Sequence, residues 1–334
     1  MFFNLLILFV YAKCCYFCIR YINLPSIFQM YMKTFIKKTM LSAALLFATL
    51  ASQAANHVDS LLNCLHNPKS NYVFVIAHRA DWRGAPENSI QGIENAIRMG
   101  VDMVEIDIHR TADGQFVVMH DATLNRTSTG KGRIADYTVE QLKQFRLRSG
   151  NGIKTRRTIP TLEEALLACR GKVLVNIDKG GDYIREILPV IQRTGTERQV
   201  IIKGKYALDR VKADYGDSKG MLYMPIVDMY DSAAVARGAE FAKKMHPVAF
   251  EMCFRTEQQL DPAFVKLVLK SGSRVWINTL WDTLCAGHDD ENALIEGLDK
   301  HWGWVLDHHA TMIQTDRPEM LINYLKQHGR RTLK

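Results

Sequence analysis

Four short runs carry residue types that could do chemistry: His78-Arg79, Glu105-Ile106-Asp107, His120 and Asp178-Lys179. In an extended chain alternate side chains share a face. Glu105 and Asp107 then point one way, and Val104, Ile106 and Ile108 point the other. Two carboxylates held together repel, and burial sharpens the repulsion. They need a cation, either a Lys or Arg partner or a hard divalent metal with oxygen ligands. A third acid, Asp178, ends another β-rich run and favours the metal. Three carboxylates suit one Ca2+ or Mg2+ ion rather than Zn2+. His78 and His120 can divide general-base and general-acid work near neutral pH. Arg79 offers paired planar donors for phosphate oxygens, and Lys179 and Lys203 offer point charges. Such a set fits phosphodiester cleavage, in which negative charge on oxygen must be neutralised.

These residues need a frame that brings them together. Eight β-rich runs occur, at 72–77, 103–108, 173–177, 199–203, 221–226, 247–252, 274–279 and 311–315. Helical patterns fall between them, including 89–99, 161–169, 183–193, 232–244, 261–270 and 317–327. This alternation predicts an α/β fold, a (β/α)8 TIM barrel, with a doubly wound open sheet as the alternative. In a barrel, catalytic groups gather at the carboxyl ends of the strands. There is no GxGxxG after the first run and no Walker loop, and STGKG at 128–132 reads as a Gly-rich turn. Between the second and third runs lie residues 109–172, too long for a simple connection. Asp113-Gly114 followed by QFVVMH predicts a hairpin, and 138–145 a helix. An insertion at about 109–160 on the barrel top is expected to have a role.

Charge and composition narrow the class. The chain has 334 residues, 47% of them hydrophobic and 23% charged, which excludes a disordered or collagen-like chain. The net charge of +8 points first to nucleic acid or anionic membrane. However, residues 1–54 hold five Lys or Arg and no acid, which leaves 38 basic against 35 acidic residues in 55–334. The excess is therefore largely a basic leader. Residues 32–54 have a cationic start, an apolar run at 40–50 and small residues Ser52 and Ala54, the layout of a signal peptide. Residues 1–31 then belong to a wrongly chosen start, with a retained anchor as the alternative. The expectation is an exported protein, periplasmic or secreted. It would have no stable membrane insertion after signal removal and no nucleic-acid partner. Oligomeric state is not readable. Four cysteines remain in the body, Cys64, Cys169, Cys253 and Cys285, without a CxxC, and they are expected to be buried free thiols.

The segments 77–89 (AHRADWRGAPENS), 100–132, 159–166 (IPTLEEAL), VWINT and 314–320 (QTDRPEM) together resemble the glycerophosphodiester phosphodiesterase family. The resemblance spans nearly all of residues 73–320, and the order HR…PEN, E-x-D, HD…RT is specific. It implies a barrel in residues 55–334 that hydrolyses glycerophosphodiesters to sn-glycerol 3-phosphate and an alcohol. By resemblance His78 and His120 are the acid–base pair, Arg79 binds phosphate, and Glu105, Asp107 and Asp178 hold the metal. Glu87 and Asn88 would line or brace the site. There is one departure: the family pattern Glu-x-Lys is replaced by Asp178-Lys179. Lys179 then falls on the other side of the strand unless the backbone breaks there, and Lys203 could substitute for it. The competing readings are a phospholipase D-like lyase or phosphoinositide phosphodiesterase on the same barrel, and a non-catalytic phosphodiester-binding protein.

Other residues receive plainer readings. Glu251 should point toward the barrel mouth, for a substrate contact or a salt bridge. Trp276 fits core packing or a pocket wall. His109 is expected on the strand face opposite the carboxylates. Asp316 is expected to cap the last helix, with Pro318 in its first turn. Trp82 is expected to pack in its loop, with a choline-binding role as the minor alternative.

Overall fold

The computed structural model describes residues 31, 34–40, 42, 57–216, 220 and 222–333. The chain divides into two compact units, 1–56 and 57–334. In the first, residues 34–40 are helical. The expected leader, 1–31 with a signal peptide at 32–54, lies almost wholly outside the described residues. Among the described residues no helix is long and apolar enough to cross a membrane.

The second unit contains nine strands among the described residues: β1 (Phe74–Ala77), β2 (Met103–Arg110), β3 (Phe116–Val118), β4 (Leu174–Asp178), β5 (Val200–Gly204), β6 (Leu222–Asp228), β7 (Ala249–Cys253), β8 (Arg274–Asn278) and β9 (Met312–Thr315). Eight of them are parallel neighbours, and the β1–β2 and β1–β9 pairings close them into a barrel. β3 pairs antiparallel with β2 as the expected hairpin, turned at Gly114 with φ 74°. The eight runs read from sequence are the eight barrel strands, to within one or two residues at each end.

Strand alternation sorts the side chains. Outward residues such as Val104, Ile106, Ile108, Val175 and Ile202 pack beneath the surrounding helices. Inward residues change character along the barrel axis. At the amino-terminal end Phe74, Ile76, Met103, Ile201 and Met312 form an apolar floor. The helix at 57–65 seals that floor with Leu61 and Leu65, fully buried. Arg274 ties the seal down, donating from within the barrel to the carbonyls of Leu65 at 3.0 Å and Asn67 at 3.2 Å. One layer higher the inward residues are polar yet buried: Glu105, Asn176, Lys203, Glu251, Asn278 and Gln314. Polar groups that deep must find partners.

The helices start where the sequence signals it. Thr161 caps Leu162–Cys169 in a reciprocal capping box with Glu164. Asp261 with Pro262 starts Pro262–Lys270. Residues 119–159 fold around a small core of their own, with Leu124, Ile134, Leu142, Leu147 and Ile159 fully buried. The segment between β8 and β9 holds short helices, Asp282–Cys285, Asp290–Glu296 and Trp304–Asp307, that the helical patterns did not pick out.

Candidate active site

The turn after β1 sets the first histidine. Arg79 and Ala80 both adopt left-handed backbone, φ 50° and 63°, unusual for residues with a Cβ. The turn points the Arg79 amide at the Glu105 carboxylate, 2.9 Å away. Strain of this kind is held by the surrounding packing and recurs at functional sites.

Glu105, Asp107 and Asp178 meet at the carboxyl ends of β2 and β4, with one oxygen of each within 4.8 Å of the others. Glu105 and Asp107 are each 1% exposed. Asn88 braces Asp107 twice, donating to its carboxylate at 2.9 Å and accepting its amide at 3.1 Å. Lys179 Nζ reaches the same carboxylate at 2.5 Å. The sequence put Lys179 on the other side of the strand unless the backbone breaks there, and it does break. Its left-handed backbone, φ 62°, breaks the strand there and turns the side chain back over the site. Burial, then repulsion from Asp107, pushes the Glu105 carboxyl up to about 7. Burial also pushes Asp107 upward, but Lys179, His120 and the Asn88 hydrogen bond outweigh it and hold the carboxyl at about 2. Beneath them Lys203 lies 3.1 Å from Glu251 and 3.7 Å from Asp178. Burial opposes its charge, but Asp178, Glu251 and Glu105 outweigh it and keep the ammonium well above the ordinary lysine value.

A hard divalent ion fits this donor set. All three groups are carboxylates, and their oxygens converge. Arg79 lines the same cavity, its guanidinium 3.7 Å from Asp107 and 3.4 Å from Glu87.

The two histidines share one arrangement. His78 Nδ1 lies 2.8 Å from Asp316, and His120 Nδ1 lies 2.8 Å from Asp121. A carboxylate on Nδ1 holds the proton there and leaves Nε2 as the reactive nitrogen. Both imidazoles line one cavity of about 510 Å3 that Asp107 and Asp178 also line. Each carboxylate is itself anchored. Asp121 accepts from Arg126 at 2.8 Å, and Arg126 grips Glu87 with two further bonds of 2.7 and 2.8 Å. Asp316 accepts from Trp82 Nε1 at 2.6 Å. Its backbone amide donates to buried Asp290 at 2.7 Å.

Several expectations need correction. Asp316 does not cap the last helix: its carboxylate is spent on His78 and Trp82, and the Arg317 cap position makes no side-chain bond. Trp82 packs in its loop as expected, its indole N–H bonded to Asp316 and Arg83 lying 4.6 Å over its ring. His109 shares its parity with Glu105 and Asp107, and its Nε2 meets the His120 carbonyl at 2.9 Å. Trp276 is fully buried in the floor and bonds Asn278 at 2.7 Å, below the cavity. Glu87 and Asn88 brace rather than line. Glu251 does line the cavity, held by Asn278 at 2.8 Å. The four body cysteines are buried and free, as expected.

Sequence reasoning missed Asp121, Arg126, Asp316 and Asp290. The first two stand inside the quoted HD…RT stretch. Asp316 directly follows a strand end, the position a barrel favours for function, but its Pro-containing context looked like a helix start.

Comparison with known proteins bears on the fold and the family. A family model described as a domain of unknown function matches residues 223–325. A glycerophosphodiester phosphodiesterase of Caldanaerobacter subterraneus is 31% identical over 268 residues, covering 76% of this chain and 98% of that protein. Bovine glycerophosphodiester phosphodiesterase 1 is 40% identical over 100 residues, covering 29% of this chain and 30% of that protein. Among solved structures, a glycerophosphoryl diester phosphodiesterase of Parabacteroides distasonis covers 81% of this chain and 92% of its own, with 24% identity and a TM-score of 0.66. A phosphodiesterase of Oleispira antarctica, solved in complex with the product sn-glycerol-3-phosphate, aligns with a TM-score of 0.58 and 21% identity over 76% of this chain and 96% of its own. Those structural likenesses carry the fold, and the long Caldanaerobacter match carries the family: the chain belongs to the glycerophosphodiester phosphodiesterase family.

Proposed function

We propose that the protein hydrolyses glycerophosphodiesters to sn-glycerol 3-phosphate and an alcohol, with His78 and His120 as the acid–base pair. The observation that carries this reading is the pairing of each Nδ1 with a carboxylate beside one cavity. One imidazole takes a proton through Nε2 from the attacking oxygen. The other, protonated, delivers a proton through Nε2 to the leaving alcohol oxygen. Asp316 and Asp121 fix the rings and favour the imidazolium form when it appears. Glu105, Asp107 and Asp178 would hold one divalent metal, Ca2+ or Mg2+. When bound it supplies positive charge for the phosphate oxygens. Arg79 orients the phosphate with planar donors, and Lys179, on the other oxygen of Asp107, adds charge beside it. Lys203 is spent on Glu251 and Asp178, so it stabilises the floor of the site rather than reaching for substrate. We place the protein as exported, on the leader pattern alone.

Purified protein should be assayed with and without Ca2+ or Mg2+ against glycerophosphodiesters and intact phospholipids, reading sn-glycerol 3-phosphate. Release from the soluble diesters supports the reading. Turnover of intact lipid alone would support the lyase or phosphoinositide alternative instead.

A further inference from the structure

Charge is distributed unevenly over the barrel unit. Residues 121–160 contain nine Lys or Arg against three Asp or Glu, whereas the rest of 55–334 holds 29 basic against 32 acidic residues. The cationic excess of the folded body therefore sits in the insertion.

Within the insertion, residues 147–157 form a hairpin. The Leu147 amide donates to the Arg157 carbonyl at 2.8 Å, Thr155 to Leu147 at 2.9 Å, and Ser149 to Ile153 at 2.9 Å. Leu147 anchors its base in the insertion core. Its tip is open, turned at Gly152 with φ 82°, and Ile153 is 63% exposed. Lys154, Arg156 and Arg157 are exposed beside it, and none of the three has an acidic partner among the described residues. Arg157 donates only to the neutral Gln91 side chain. The hairpin packs against the loop after β1, where it lines a groove apart from the histidine cavity: a Cβ on Gly150 would lie 3.6 Å from the Trp82 ring, and Trp82 bonds the Asp316 that holds His78.

Three uncompensated cations around a projecting aliphatic side chain have a specific complement. Cations alone would suit any polyanion. The exposed Ile153 has no use against a phosphate backbone, where aromatic stacking would serve. At a lipid surface both parts are used, with the cations at anionic head groups and the aliphatic tip at the acyl boundary. We propose that hairpin 147–157 docks the protein reversibly on an anionic bilayer surface. This does not depend on which diester the site cleaves.

The test uses the intact chain throughout, so that anything contributed by residues 1–54 is common to every sample. Co-sedimentation with phosphatidylcholine vesicles should be compared with vesicles containing phosphatidylglycerol. The wild type should bind the anionic vesicles more tightly, and added salt should weaken the difference. K154Q/R156Q/R157Q should lower affinity for anionic vesicles on the order of a hundredfold, at about fivefold per cation. Ile153→Ser should weaken vesicle binding separately while leaving binding to a soluble single-stranded oligonucleotide unchanged. Hydrolysis of soluble glycerophosphocholine should be the same in all variants, which reports that each is folded. Equal vesicle binding by wild type and the triple variant overturns the proposal. So does oligonucleotide binding tighter than vesicle binding with Ile153→Ser silent.

Discussion

His78 Nδ1 sits 2.8 Å from the Asp316 carboxylate, although the two residues are 238 positions apart in the chain. The contact joins the end of the first barrel strand to the residue just after the last one, where the barrel closes. It fixes which nitrogen of His78 faces the cavity.

Asp316→Asn tests that assignment. An amide can donate to Nδ1 and so favour the tautomer with the proton on Nε2, the wrong nitrogen for a base. We expect kcat to fall at least about tenfold with KM within about twofold, because proton transfer and not binding is affected. An unchanged kcat, with the variant melting like wild type, would show that Asp316 does not act through His78.

Asp290 supports Asp316 from below. Its carboxylate is 1% exposed and accepts from Thr279, Thr315, Trp302 and the Asp316 amide. Burial pushes its carboxyl up to about 6 from 3.8, against the pull of those hydrogen bonds. The folded state therefore binds the extra proton between about pH 4 and pH 6. The group's contribution to stability falls as pH rises through that window, by at most about 3 kcal/mol. Asp290→Asn does not titrate. Its stability deficit relative to wild type should be larger at pH 4 than at pH 7 in denaturant unfolding. A deficit equal at both pH values would mean the carboxyl is not raised.

The acid cluster makes a prediction about metal. Chelator should abolish turnover, and Mg2+ or Ca2+ should restore it. Asp178→Asn removes one of three charged donors and should raise the half-saturating metal concentration at least about tenfold. Full activity after exhaustive chelation would remove the metal from the account.

The barrel was legible because its strands are buried on both faces and its helices carry capping signals. β2 shows this best: MVEIDIHR places the apolar and acidic sets on opposite faces by alternation alone. The acid cluster followed from the same alternation. What stayed hidden depends on backbone departures and long-range closure. Nothing local announces the left-handed turn at Lys179 that returns its ammonium to Asp107. Nothing local says that Asp316, set before an Arg-Pro pair, serves a histidine instead of a helix. Asp121 and Arg126 were present in the motif but became meaningful only when Arg126 was seen to link Asp121 to Glu87. Trp276 fitted two places on a strand, and only the depth of its side chain in the barrel chose between them.

The central claim is that two carboxylate-held histidines perform the proton transfers of diester hydrolysis. The most direct test is single-turnover release of sn-glycerol 3-phosphate from glycerophosphocholine, at saturating metal, by wild type, His78→Ala and His120→Ala. Each variant should melt within a few degrees of wild type and lose at least about a hundredfold in rate. A folded variant of either histidine that retains wild-type rate would contradict the mechanism.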